Sequence, residues 1–213
     1  MKWLIVLLIF PYLGFSQSSS DLGTNAGEYI GISGSPYFLK DWSDGVIRFT
    51  SGKVTDKFIL RFNTAQNKLI LQFNGSAFAA ESKVNEFVIY AKNKKDSFLF
   101  RKGFPAIDKY NKETFYQPLE TGQATLLRLP LKEIVEEKSI YGPKPTRHYR
   151  DVDEFYVLVN ETMYKVDKDI KPLEDILSDR RQDLKNYISE HQLRMTSLED
   201  LTKVVKKYNE LAR

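Results

Sequence analysis

Cysteine is absent from the 213-residue chain, and histidine occurs only twice, as His148 and His191. Without cysteine there is no disulfide, no thiolate metal ligand, no cysteine nucleophile and no attachment site for a lipoprotein anchor. Two histidines so far apart in the sequence argue against a histidine-based zinc site. The chain also lacks a Gly-x-Ser-x-Gly nucleophile elbow and a phosphate-binding glycine-rich loop. We therefore expect no cofactor and no metal.

The chain has no strong excess of one charge. It contains 32 Lys and Arg residues against 28 Asp and Glu residues, a formal net charge of +4, and the two signs are interleaved along most of the sequence. Proteins that bind nucleic acid usually cluster their basic residues on one face. We therefore expect a surface of mixed charge and no nucleic acid partner.

The only long apolar run lies at the N-terminus. Lys2 precedes the apolar residues 3–10, and small residues occupy positions −3 and −1 of a cleavage after Ser16. The run is shorter than the roughly 20 residues that span a bilayer. We predict a signal peptide over 1–16, a flexible leader over 17–33, and no transmembrane span after cleavage.

Aromatic residues are abundant, with 14 Phe and 12 Tyr, which favours pleated, half-buried surfaces. Short runs of alternating apolar and polar residues, separated by Gly, Asn and Lys, predict an antiparallel β-meander. Asn74-Gly75 is the strongest hairpin signal, because both central residues of a type I′ turn need a positive φ. The predicted strands of this region are 46–50, 57–63, 68–73, 76–80, 86–91 and 97–101.

The later part of the domain is less regular. Strands are predicted at 115–119, 123–129, 155–160 and 162–166. The segment 131–138 is compatible with both a strand and a helix. We predict a loop over 140–149, because it contains Gly142, Pro143 and Pro145.

The apolar spacing becomes helical after Asp169. Ser197 with Asp200 is close to a capping box and opens a second helix. We predict a β-rich domain over 34–169 and a helical hairpin over 170–213 that packs on or beside the sheet. Strands followed by helices indicate the α+β class, here an antiparallel meander or curved sheet followed by helices.

The chain contains the motifs Gly34-Ser35-Pro36-Tyr37, Trp42, Gly45-Val46, a Phe-Tyr-x-x-Leu-x-x-Gly run over 115–122, and Tyr208-Asn209-Glu210-Leu211. With these motifs the chain resembles a widespread group of secreted β-rich proteins of the Bacteroidota whose function is unknown. The resemblance covers nearly the whole mature chain. It implies export and a β-rich fold, and it implies no activity, cofactor or catalytic residue.

Basic residues in the predicted loop and directly after it are the first candidate site. Lys144, Arg147, His148 and Arg150 are suited to recognise an anion such as a phosphate or a sugar carboxylate. The alternative is an exposed loop whose opposite charges pair with each other.

Carboxylates follow the basic residues directly. Asp151, Asp153 and Glu154 have the spacing that begins a calcium loop, but no glycine occupies the sharp turn and no distal Glu closes it. We therefore expect no metal there.

Two further surfaces are candidates. Trp42 and Tyr37, with Phe38, can form an aromatic platform for a glycan or peptide, or can plug one end of the sheet. Basic residues of the helices can form a docking face for a protein or an anionic lipid, or simply a solvated face. These basic residues are Arg180, Arg181, Lys203, Lys206 and Lys207.

We expect an exported, non-enzymatic protein of the periplasm or cell surface that binds an outer-membrane or periplasmic protein, or another envelope component, as an accessory subunit. The alternatives are a hydrolase of an envelope polymer that uses carboxylates such as Asp151 and Glu154, and a lipid- or glycan-binding module. A deep pocket with two carboxylates about 5–10 Å apart would favour the hydrolase. A shallow sheet face lined with Phe and Leu would favour binding.

Overall fold

The computed structural model describes residues 31–80, 83–138, 145–166, 173–195 and 197–212. The predicted signal peptide, nearly all of the predicted leader, and Lys144 lie outside these residues. The described strands are β1 (Ile32–Ser33), β2 (Ser43–Phe49), β3 (Val54–Thr55), β4 (Ile59–Asn63), β5 (Lys68–Phe73), β6 (Ser76–Ala79), β7 (Val84–Tyr90), β8 (Ser97–Arg101), β9 (Gln117–Glu120), β10 (Ala124–Glu137), β11 (Thr146–Val159) and β12 (Thr162–Val166). The described helices are α1 (Leu173–Ile176), α2 (Arg181–Glu190) and α3 (Leu198–Leu211), with a 3₁₀ helix, Ser178–Arg180, between α1 and α2. The chain is thus mostly β-structure and ends in helices, which fits the α+β class.

The first sheet is antiparallel and has the order β6-β5-β4-β2-β7-β8, with β3 also paired to β2. β2 changes partners along its length. Ser43 and Asp44 pair with β4, whereas the segment from Gly45 to Phe49 pairs with β7. One strand therefore belongs to both halves of the sheet, which curls around it.

Gly45 occupies the point where β2 changes partner. A Cβ atom at this position would lie 2.2 Å from the carbonyl oxygen of Val88 and 2.3 Å from Cδ1 of Leu60. Only glycine lets the two halves of the sheet approach so closely. Gly45, which was predicted to lie directly before the strand 46–50, lies within β2 and is a packing requirement of the curled sheet.

The curled sheet encloses an aromatic core. Phe62, Phe87 and Phe100 are at most 1% exposed, and their ring centroids lie 4.8–5.2 Å apart. Phe115 follows the last strand of this sheet in the sequence, but its side chain packs into the same core. Its ring centroid lies 4.9 Å from that of Phe87. Edge-to-face aromatic pairs add to the stability that area burial supplies.

The second sheet has the order β1-β11-β10-β9, with β12 paired to β11. β10 and β11 are paired over their whole length, from Ala124 opposite Val159 to Glu137 opposite Thr146. β1 pairs in parallel with Arg147 and His148 of β11, so the end of the predicted leader forms a short edge strand.

The pairing of β10 and β11 resolves one expectation and corrects another. Residues 131–137, which the sequence left open between strand and helix, continue β10 as a strand. The prediction of a loop over 140–149 is wrong for Thr146–Tyr149, because the backbone of these residues pairs with residues 134–137 of β10. Pro145 lies directly before the strand, where a proline removes no ladder hydrogen bond.

Both faces of the second sheet are covered. On one face Leu126 and Val157 pack against Val204 and Val205 of α3, together with residues of α1 and α2. On the other face Leu129 and Tyr156 pack under the segment 102–116. Residues of the C-terminal helices thus pack on one face of this second sheet. Ser197 caps α3, since its hydroxyl oxygen accepts a hydrogen bond from the backbone N–H of Asp200 at 3.1 Å.

Two asparagine side chains connect parts of the structure that are far apart in the sequence. The amide of Asn67, at the β4–β5 turn, donates to the carbonyl of Phe115 at 3.0 Å and accepts from its N–H at 2.8 Å. The amide of Asn209 in α3 does the same for Ala124 of β10, at 3.0 Å and 2.8 Å. Each amide satisfies both backbone groups of one residue, as a neighbouring strand would.

No helix among the described residues combines the length and the apolar character that crossing a membrane requires.

We expect Gly45→Ala to lower the free energy of unfolding by about 1–3 kcal/mol, because the added methyl group must displace the Val88 carbonyl or the Leu60 side chain. Urea unfolding followed by circular dichroism measures the change. Gly52→Asn is the control: Gly52 has φ +84 with open space around it, and Asn tolerates this conformation, so the cost should stay below about 1 kcal/mol. Equal effects of both substitutions would contradict the role of Gly45.

We expect Asn209→Ala to destabilise the fold by about 2 kcal/mol, because the N–H and C=O of buried Ala124 lose their partners. The exposed neighbour Glu210 offers a matched control on the same helix, and Glu210→Ala should change stability by no more than about 0.5 kcal/mol. Hydrogen exchange at the Ala124 amide should accelerate in the first variant and not in the second.

Candidate binding surface

Three phenylalanines form a cluster at the margin of the first sheet, which we call the aromatic edge: the half-buried Phe58 and the exposed Phe73 and Phe78. Phe73 is 45% and Phe78 is 40% exposed, and the Phe58 ring lies 5.6 Å and 6.0 Å from them between centroids. Phe78 lies on β6, which pairs only with β5 among the described strands. The aromatic edge therefore combines exposed apolar surface with a sheet edge.

The local sequence explains why these rings gather. Leu69, Leu71 and Phe73 alternate on one side of β5, and Phe78 lies directly opposite Leu71 on β6. Leu69 and Leu71 are buried in the aromatic core, whereas Phe73 lies beyond it at the end of the strand. The Asn74-Gly75 turn follows at once, with φ values of +49 and +81, and confirms the predicted hairpin.

Tyr37 and Trp42 are brought together by a third residue that the sequence analysis did not select. The guanidinium of Arg61 lies 3.7 Å from the centroid of Tyr37 and 5.6 Å from that of Trp42. Tyr37 is buried, and its backbone forms a bridge with Asn63. Tyr37 therefore belongs to the packing at one end of the sheet, while Trp42 lines a pocket of about 440 Å³ at the surface.

The three described residues of the predicted anion site lie on strand β11 and not on a loop. Successive residues of a strand point to opposite faces, so Arg147 is directed away from His148 and Arg150. His148 lies 3.8 Å from the carboxylate of Glu137, and Arg150 donates to Glu133 at 2.9 Å. The structure therefore does not gather these three side chains on one face, and the two that share a face lie beside carboxylates.

The carboxylates of β11 also have cationic partners. Asp151 pairs with Lys132 at 2.5 Å, Asp153 with Arg128 at 2.8 Å, and Glu154 points to the other face. Among the residues that the structure describes, no three His, Asp or Glu side chains are close enough to hold a metal ion.

The helical cations also have local partners where the structure shows them. Arg181 pairs with Asp175 at 3.1 Å, and Lys203 pairs with Glu199 one turn earlier at 2.6 Å. These contacts are typical of a solvated helical surface.

Glu154 is the centre of a polar cluster that sequence reasoning missed. Its Oε2 accepts hydrogen bonds from the hydroxyls of Tyr110 at 2.9 Å and Tyr156 at 2.8 Å, and its Oε1 accepts from Lys165 at 2.7 Å. Tyr116 packs edge-on against Tyr110 and Tyr156, and its own buried hydroxyl has no hydrogen-bond partner in the described structure. The only signal in the sequence was that Glu154 and Tyr156 share one face of a strand.

This cluster ties the segment 102–116 to the sheet. Burial acts to raise the pKa of Glu154, but the hydrogen bonds from Lys165, Tyr156 and Tyr110, with the attraction of Lys165, outweigh it and lower the pKa. Burial and the neighbouring Glu154 carboxylate raise the pKa of all three tyrosines. Glu154 is thus held as an anion by three donors, and these hydrogen bonds fix its side chain at the centre of the cluster.

No family model, no curated protein and no solved structure matches this chain. The resemblance to secreted proteins of the Bacteroidota therefore stays a prediction. Two of the motifs quoted for this resemblance lie against each other in the structure. Gly122 ends one and Asn209 belongs to the other, and a Cβ atom added at Gly122 would lie 2.5 Å from Cγ of Asn209.

The lowered pKa of Glu154 predicts an acid-sensitive contribution to stability. Its folded pKa lies below the unfolded value, so the stabilisation is present above about pH 4.3 and is lost as the pH falls through the folded pKa. We expect Glu154→Gln to be less stable at neutral pH and to lose less stability than the parent between about pH 5 and pH 3. Urea unfolding across this range measures both effects.

Glu133→Gln is the matched control, because Glu133 is exposed and paired with Arg150 on the same ribbon. It should retain the pH dependence of the parent protein. A Glu154→Gln variant with the parent's full acid dependence would show that Glu154 is not the acid-sensitive group.

Proposed function

We propose that this chain is an exported, non-enzymatic protein that binds a protein of the cell envelope through the aromatic edge. One observation carries the proposal: Phe73 and Phe78 are left exposed at the edge of the sheet that β6 forms, and their rings cluster with the half-buried Phe58. Export is supported by the apolar N-terminal run of the sequence, and it would place the protein in the periplasm or at the cell surface.

The aromatic edge has the physical properties of a contact surface. Burying a fully exposed phenylalanine side chain is worth about 1.5–3 kcal/mol, so the partly exposed Phe73 and Phe78 each gain a share of this when a partner covers them. The outer edge of β6 presents backbone N–H and C=O groups that can pair with an added strand. Together they offer apolar affinity and backbone hydrogen bonds at one place.

The rest of the fold supports a rigid platform. The aromatic core lies directly beside the aromatic edge, since Leu69 and Leu71 of the core precede Phe73 on the same side of β5 and Phe58 packs against the core. We propose that α2 and α3 act as a helical hairpin that closes one face of the second sheet. A preorganised surface loses less entropy on binding than a mobile one.

The hydrolase alternative has less support. The two carboxylates named for it, Asp151 and Glu154, lie on opposite faces of β11, and each is held by a lysine. Such an arrangement does not direct an acid and a base toward one substrate bond.

Affinity capture from envelope extracts tests the proposal with three forms of the tagged full chain. These forms are the parent, the double variant Phe73→Ser with Phe78→Ser, and the control Ile134→Ser. Ile134 is 45% exposed, like Phe73, but lies on the β10–β11 ribbon. We expect the parent and the control to recover the same envelope protein at a constant ratio, and the double variant to lose at least about tenfold in affinity.

The recovered protein must then bind the purified chain directly in a titration. Equal recovery by all three forms would contradict a role for the aromatic edge, and recovery of the bait alone would contradict a stable protein partner. Unfolding curves of the three forms separate lost binding from lost folding.

A further inference from the structure

Two surface pockets lie together where β2 begins and β7 ends. They have volumes of about 440 and 400 Å³ and share three lining residues, Asp44, Tyr90 and Lys94. We call the combined feature the Trp42 groove, because Trp42 is its largest side chain. It does not include the exposed phenylalanines of the aromatic edge, so it is a separate surface.

The side chain of Trp42 is held in place by Arg61 before a ligand binds. Arg61 contacts both Tyr37 and Trp42 through its guanidinium, and its Nη2 donates to the carbonyl of Lys40 at 2.7 Å. Cation–π contacts of this kind are worth about 0.5–2 kcal/mol, depending on their exposure to water. The indole ring is therefore offered to a ligand with little further loss of side-chain freedom.

The polar lining of the groove carries both charges in equal number. The charged lining residues are Lys40, Lys92, Lys94, Asp41, Asp44 and Asp56. Lys94 pairs with Asp44 at 3.0 Å, and both side chains are more than half exposed. Such a lining supplies hydrogen-bond donors and acceptors but no net charge to attract a polyanion or a polycation.

We propose that the Trp42 groove binds a neutral oligosaccharide. The C–H face of a pyranose ring is apolar and packs on an aromatic ring, while its hydroxyl groups bond to carboxylates and ammonium groups around it. A mostly apolar floor with a few well-placed polar groups is the general form of a small-ligand site. This inference goes beyond the proposed protein partner and does not depend on it.

Tryptophan fluorescence gives a readout specific to this groove. The chain has two tryptophans, Trp3 and Trp42, so the full chain with Trp3→Phe reports on Trp42 alone. The probes are the neutral tetrasaccharides of β-linked glucose, α-linked glucose, β-linked mannose and N-acetylglucosamine. Tetragalacturonate is the anionic comparison and a mixed tetrapeptide library is the peptide comparison. We expect at least one neutral probe to change the emission of Trp42 in a saturable way.

Variants test the site by calorimetric titration with the neutral probe that binds best. We expect Trp42→Ala to weaken binding at least about tenfold, and Trp42→Phe to retain most of it, because an aromatic face remains. Asp56→Asn, at the far end of the groove, should weaken binding without removing the aromatic surface. Phe73→Ser, in the aromatic edge, should leave sugar binding unchanged.

Several results would overturn the proposal. These are no response to any neutral probe up to about 10 mM, tighter binding of tetragalacturonate or of the peptides than of every neutral sugar, and unchanged sugar binding in Trp42→Ala. Loss of sugar binding in Phe73→Ser would also overturn it, because that residue lies outside the groove. Partner capture by the aromatic edge is measured separately, so either idea can fail while the other stands.

Discussion

The close approach at Gly45 is the constraint on which the rest of the first sheet depends. Because no side chain intervenes there, β2 can pair with β4 at its start and with β7 along the remainder. The sheet consequently curls, and its inner face becomes an aromatic core rather than an open surface. Phe73 lies past the end of this core and is exposed. Trp42, directly before β2, lines a surface groove elsewhere on the sheet.

Side-chain amides then connect the curled sheet to the remainder of the chain. Asn67 satisfies the backbone of Phe115, whose ring enters the first core, while the next residue, Tyr116, enters the tyrosine cluster of the second sheet. The side-chain amide of Asn209 makes the same pair of hydrogen bonds between α3 and Ala124 of β10. Buried amides of this kind are useful because a single residue satisfies one donor and one acceptor that would otherwise be costly to leave in a dry interior.

The sequence analysis did not select Phe58, Phe73 and Phe78 as a site, although it predicted the strand and the turn beside them. The alternation along β5 and the Asn74-Gly75 turn identified which side of the strand Phe73 occupies, but alternation carries no information about where a core ends. Trp42 and Tyr37 were recognised as an aromatic pair, whereas Arg61, which contacts both rings, lies about 20 residues away in sequence and has no local signal. The same applies to Tyr110, Tyr156 and Lys165 around Glu154, which only the pairing of strands and the overlying segment bring together.

The sequence by itself determined the class of the fold, most strands, the hairpin turns and the cap of α3, because these depend on side-chain period and on the φ preferences of a few residues. β5 and β8 have the predicted bounds. Only the tertiary structure decided the curl around Gly45, the extension of β11 through Arg147 and His148, and the pairing of charges along it. Those outcomes depend on contacts between different strands, which the local sequence does not specify. For Thr146–Tyr149, backbone pairing with residues 134–137 outweighs the local turn preference from which the loop was predicted.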